Sequence, residues 1–266
     1  MRFSAPIFKK KTFIKEKKMA MTRTANPALN AKTFTGLART GEAMTIQGTV
    51  NKTGIMLILL LIPAFWVWDK FFTTMDPASV SSWMMLGIIG GLIFALITVF
   101  KKEAAPVTAP IYAILEGLFL GGISAIFEAQ FPGIVIQAVG LTFGTLFCLL
   151  MAYRSGMIRA TENFKLGVAA ATGGIFLMYL ATFILGFFGV NVPFIHESGL
   201  IGIGFSLFVV VIAALNLVLD FDFIENGAAH GAPKYMEWYA AFGLMVTLIW
   251  LYIEFLRLLA KLRSRD

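Results

Sequence analysis

Apolar residues gather into seven long runs, at about 54–72, 83–100, 106–127, 133–153, 166–188, 199–219 and 236–256, with short polar stretches between them. About 20 apolar residues of helix cross a hydrocarbon core roughly 30 Å thick, and all seven runs approach or reach that length. Lipid offers no partner for a backbone amide or carbonyl, so each run predicts a helix that satisfies its own backbone. The expected fold is an all-α membrane protein, a seven-transmembrane-helix bundle. Residues 1–52 read as an N-terminal tail, 53–257 as the bundle and 258–266 as a short basic tail. Pro63 softens the first run, and Asn26-Pro27 marks a turn in the polar arm before it.

Composition supports this reading. The 266-residue chain is 58% hydrophobic with mean hydropathy +0.81. Charged residues make up 14% of it, against roughly 25% in an ordinary domain. Cys148 is the single cysteine, and His196 and His230 fall in different loops, which excludes a disulfide framework and a Cys/His zinc spacing. No apolar segment follows the first basic residues, so no cleavable signal peptide is expected, and residues 1–18 are given no structural role.

Charge sets an expected orientation. Residues 1–52 hold 11 of the 22 Lys and Arg, and with the N-terminus inside, 17 of the 22 fall on the inner side. Arg257, Lys261, Arg263 and Arg265 oppose this count if the last run crosses fully. A tryptophan at the entry of the second run and Lys101-Lys102 at its exit suit a helix running outside to inside. The basic tail predicts attraction to anionic membrane lipid. No groove-reading motif accompanies it, so nucleic acid is not an expected partner.

Ionisable groups within apolar runs are expensive and usually turned inward for a task. Glu116, ten residues past Pro106, stands about 15 Å deep. It reads either as a protonated acid donating one interhelical hydrogen bond or as a proton or cation stop on a pathway. Asn216 and Asp220 share a helix face, whereas Asp220 and Asp222 point about 160° apart if the sixth helix continues, so one of the two acids faces the axis. Glu237 opens the seventh run from the same side, at an expected depth close to that of Asp220 and Asp222. Carboxylates brought together there would share a proton and titrate as a coupled pair, a pH-sensitive latch; the alternative is that all three are solvated loop acids. Glu254 and Arg257 read as an ordinary surface ion pair, and Arg154, Arg159 and Lys165 as flank charges. Small residues four apart, Gly117/Gly121, Gly140/Gly144 and Ala169/Gly173, predict close helix packing. No span holds a histidine or His-Glu-x-x-His, and Ser155 lies in a loop, so catalysis is not expected.

Three runs, Leu115-Glu-Gly-Leu-Phe-Leu-Gly-Gly-Ile-Ser124, Leu219-Asp-Phe-Asp-Phe-Ile-Glu225 and Ile253-Glu-Phe-Leu-Arg-Leu-Leu259, resemble the Bax inhibitor/YccA superfamily. Asn26-Pro-Ala-Leu29 and Met44-Thr-Ile-Gln-Gly-Thr-Val-Asn-Lys-Thr53 are similar to the N-terminal region of its bacterial branch. The resemblance implies a bundle with the last helix central and a calcium leak gated by pH through aspartates on helices six and seven. Asp220, then Asp222, matches the helix-six aspartate. The helix-seven aspartate lies roughly two turns before the terminal basic cluster in the family, where this chain has the apolar stretch 247–251. Glu237 or Glu116 stands in for it. The resemblance also implies a basic partner on helix two, for which Lys101 or Lys102 is available.

The leading expectation is therefore a multi-pass inner-membrane protein that leaks Ca²⁺ or exchanges it for H⁺. Glu116 and Asn216 would line the pathway, Asp220, Asp222 and Glu237 would form the gate, and Asp220, Asp222 and Glu116 would ligate the metal. Hard cations prefer such oxygen ligands. No bound cofactor is expected. The alternative, from a different class, is a non-transporting protein that modulates a membrane protease or a stress response. A weaker third reading, a lipid or small-molecule transporter, predicts an inverted repeat that the hydropathy does not plainly carry.

Overall fold

A computed structural model describes residues 42–189 and 199–264. Residues 1–41 of the expected basic tail, and His196, lie outside that range. Among the described residues the chain forms seven long helices and no strand: α1 Ile46–Thr74, α2 Ala78–Phe100, α3 Ala105–Gln130, α4 Ile134–Arg154, α5 Glu162–Phe187, α6 Leu200–Ala229 and α7 Met236–Arg263. All seven are long and apolar enough to cross a membrane. This is a multi-pass membrane protein.

The helix limits differ from the apolar runs at functionally relevant places. α1 begins eight residues before Gly54, because Thr45 takes an extended conformation and its hydroxyl accepts the Gly48 N–H at 2.9 Å. Residues 46–52, expected in the tail, are thus the first two turns of α1. α6 continues ten residues past Leu219, so Asp220, Asp222 and Glu225 are helical rather than loop residues. α7 absorbs most of the expected C-terminal tail.

α7 is central. It packs against α1, α3, α4 and α6, and its buried side chains, among them Tyr239, Phe242, Met245 and Leu251, run through the largest apolar cluster. α2, α4 and α5 instead turn Ile88, Leu92, Ile136, Phe147, Phe176 and Phe183 outward, as helices bordering lipid do. The starts of α1, α3, α5 and α7 and the ends of α2, α4 and α6 share what is here called the N-terminal face.

α1 and α3 cross closely where Gly117 and Gly121 lie against the backbone carbonyls of Leu60 and Ala64; a Cβ at either glycine would overlap those atoms. This pair packs as the four-residue spacing predicts. Gly140, Gly144 and Gly173 do not, for nothing lies within 4 Å of a Cβ at any of them. The spacing marks a smooth helix face, and a neighbour must also be present to use it.

The contrast is testable by thermal unfolding of purified protein followed by circular dichroism. Gly121→Leu should destabilise by about 1–3 kcal/mol, the range for overpacking. Gly140→Ala should be neutral or stabilise by up to about 1 kcal/mol through helix propensity. Equal effects would show that the α1–α3 crossing is looser than its geometry.

Candidate functional site

The N-terminal face is closed by one buried carboxylate. Glu237, in the first turn of α7, is fully buried, and its Oε1 accepts the Thr45 N–H at 3.0 Å and the Thr45 hydroxyl at 2.9 Å. Lys52 of α1 reaches Oε2 at 2.7 Å, and Lys234 reaches Oε1 at 3.3 Å while also lying 3.5 Å from Glu42. Thr45 therefore caps α1 and holds Glu237 with the same oxygen. The carboxylate sits against the first turn of α1, where the helix dipole favours an anion. Gly48 permits this, because a Cβ there would occupy the position of the carboxylate. An antiparallel bridge between Ala43 and Pro233, with the Met44 N–H donating to the Ala232 carbonyl at 2.6 Å, fastens the arm to the α6–α7 turn. Lys234 lies outside the spans. Its hydrogen bond to Glu237 holds its pKa above the usual lysine value, so its contribution is complete at neutral pH and is lost only as pH rises through that raised value.

A second contact ties α5 to α6. Lys165, expected as a flank charge, is buried and meets Asp222 at 2.6 Å. Nearby, the Tyr153 hydroxyl donates to Glu225 at 2.5 Å. Asp220, on the opposite side of the same turn, is fully buried. The continuing helix thus separates Asp220 from Asp222 as the 100° step per residue requires. Asn216 uses its amide to join Thr172 of α5, at 2.9 Å, and the Ile212 carbonyl, at 2.8 Å. That arrangement couples two helices.

The α6–α7 register sets the depths of the acids. Lys261 bonds the Gly202 carbonyl at 3.1 Å and the Ser206 hydroxyl at 2.8 Å, which places Glu254 opposite residue 211 and Glu237 opposite residue 228. At 1.5 Å per residue, Asp220 then stands about 12 Å from Glu237 and about 13 Å from Glu254 along the hairpin. The expectation that Glu237 and Asp220 share a depth is corrected: α6 runs straight on to Ala229 and leaves Asp220 more than two turns deeper. Glu237 is held by Lys52, Lys234 and Thr45, and Glu42 shares Lys234 with it. Tyr112 packs edge-on against Phe242 at 4.9 Å, which puts Glu116 near the level of Asp220. The Glu116 carboxylate lies against Gly91 of α2.

Glu254 is not the surface residue its neighbour Arg257 suggested. It is buried, accepts from the Tyr179 hydroxyl at 3.1 Å and pairs with Arg257 at 3.2 Å, while Arg257 also lies over the Tyr179 ring at 5.4 Å. Lys101 and Lys102 do not pair with an acid among the described residues. Lys101 is exposed and Lys102 lies 5.9 Å over the Tyr239 ring. The cations that meet Glu237 and Asp222 are instead Lys52, Lys234 and Lys165, from other elements. Among the described residues, Asp220, Asp222 and Glu116 do not gather into a metal-ligating group. His230 is exposed and approaches the Asn226 carbonyl of its own helix.

With this geometry in place, a family model described as Bax inhibitor 1 like matches residues 5–264. The chain belongs to the Bax inhibitor 1 like family. A comparison with curated proteins found no match. Sequence reasoning missed the burial of Glu254 and the pairing of Lys52 and Lys165 with acids of other helices. The signal for Glu254 was present: two turns counted back from Arg257 end in the apolar stretch 247–251, but counted from Lys261 they end on Glu254. Lys52 and Lys165 carry no such signal, because their partners lie 185 and 57 positions away in the chain.

Removing one partner of a buried ion pair leaves an uncompensated charge, at a cost of about 3–5 kcal/mol. Lys52→Met should therefore lower stability by about 3 kcal/mol, since Lys234 still faces Glu237. Gly48→Ala should act in the same direction by displacing the carboxylate. Thermal melts of the two variants check this, and melting unchanged from wild type in both would mean the contact contributes nothing.

Proposed function

We propose that this protein passes Ca²⁺ down its gradient, or exchanges it for H⁺, along the α6–α7 hairpin, with protonation of interior carboxylates controlling the flow. The observation that carries the reading is Asp220, a fully buried acid deep in α6, with Glu237 and Glu254 about 12–13 Å to either side along the central hairpin. Carboxylates at three depths give a hard cation oxygen ligands at successive stops, with water completing its coordination. Glu116 stands near the level of Asp220 and adds charge to the middle of the bundle. Both ends of the series are closed by ion pairs, Glu237 with Lys52 and Lys234, and Glu254 with Arg257. Opening requires those pairs to loosen, which protonation of the acids favours. The basic arm supports a cytoplasmic N-terminus in the inner membrane.

Flux into liposomes loaded with a calcium dye tests the proposal. Purified protein should give Ca²⁺ entry that changes between pH 5 and 8, and Asp220→Asn should reduce it at least tenfold. Glu116→Gln should alter its pH dependence. Absence of flux at every pH in that range would overturn the proposal and favour a protein that acts by docking on membrane partners such as a protease.

A further inference from the structure

Away from the acids Asp220, Glu237 and Glu254, α1, α3, α4 and α7 line a cavity of about 560 Å³, open at its side, in the half of the bundle remote from the N-terminal face. Along α1 its lining extends from Leu57 to Trp68, which at 1.5 Å per residue is about 16 Å. One leaflet of a hydrocarbon core roughly 30 Å thick has the same depth. The floor is formed by the buried Leu120 and Met245, and the rim by Leu61, Phe65 and Ile136, all exposed on the lipid-facing surface. The cavity therefore borders hydrocarbon at the side of the bundle, and its long axis follows the helices.

Its polar residues Ser124, Glu128 and Tyr252 lie toward the remote end, while Thr142, nearer the middle of the bundle, donates its hydroxyl to the Ala138 carbonyl at 2.8 Å. Ser124 and Tyr252 both line the cavity, and their hydroxyls share one hydrogen bond of 2.6 Å. Two hydroxyls carry two protons, and that bond uses one. Among the described residues no acceptor takes the other. Glu128, at the same end, is occupied by the Gly133 and Val135 N–H groups. Trp68 closes the cavity at the level where aromatic side chains meet headgroups.

We propose that this cavity is a binding site for one acyl chain of a membrane phospholipid. The chain enters from the leaflet remote from the N-terminal face, its methyl end reaches Met245, and its ester carbonyl accepts the spare proton of the Ser124–Tyr252 pair. Away from the remote end the walls are largely apolar, which suits a hydrocarbon chain better than water. Chains of the surrounding bilayer are already present at the rim and share its orientation. Such a lipid would brace α1 against the central helix without touching the acids.

Photolabelling in phosphatidylcholine vesicles tests this, using phosphatidylcholine with a diazirine at mid-chain and peptide mapping of the adducts. Adducts are expected on Leu120 and Met245, which bulk lipid does not reach, as well as on the outward-facing Phe65 and Ile136. Leu61→Trp, a substitution at the exposed rim that leaves the core intact, should lower the Leu120 and Met245 adducts at least fivefold and leave those on Phe65 and Ile136 unchanged. Adducts confined to Phe65 and Ile136, or inner adducts insensitive to Leu61→Trp, would overturn the proposal. So would stronger inner labelling by a free fatty acid bearing the same diazirine at equal mole fraction.

Discussion

A carboxylate removed from water must be matched by positive charge and hydrogen bonds or give up its own charge, and the architecture at the N-terminal face follows from that demand at Glu237. Three residues converge on it in the first turn of α7: the cap residue Thr45, Lys52 two turns into α1, and Lys234 in the turn before α7. Because the first two belong to the start of α1 and the third to the α6–α7 turn, satisfying one side chain fixes the approach of the first helix to the last. The early start of α1 and the glycine at position 48 belong to the same solution. Without the first there would be no Lys52 at that height, and without the second no space for the carboxylate.

From that fastening the rest of the bundle can be traced. α7 enters at the centre because its opening acid is sealed by its neighbours, and it leaves the centre past Glu254, matched by Tyr179 and Arg257. Between them α6 carries Asp220 inward and Asp222 outward to Lys165, so consecutive acids serve different neighbours. The interior acids and the lateral cavity occupy different regions of the same bundle. The first are distributed along the α6–α7 hairpin; the second lies between α1, α3, α4 and the other side of α7.

The gross fold was legible because lipid imposes so few options: seven apolar runs predicted seven helices, and the resemblance implied the central seventh. Local signals within the acid stretch were legible as well, since helical geometry alone required Asp220 and Asp222 to part. What could not be read was the partner of each acid. Lys101 and Lys102 looked available at the end of α2, yet the cations that meet Glu237 and Asp222 come from α1, the α6–α7 turn and the start of α5. Helix crossing angles and registers decide those meetings, and no spacing in a single segment encodes them. The shared depth expected for Glu237 and Asp220 failed for a related reason, because the apolar run ended at Leu219 whereas the helix, sheltered by its neighbours, did not.

The most direct measurement of the Glu237 fastening is the distance between spin labels at the exposed positions Gln47 and His230, on α1 and at the end of α6, read by pulsed electron resonance in a Cys148→Ser background. Wild-type protein should give one narrow distribution at neutral pH, and Glu237→Gln should shift it to longer, broader distances as the arm and α1 release the α6–α7 turn. Distributions that coincide would contradict the view that this carboxylate holds the N-terminal face closed.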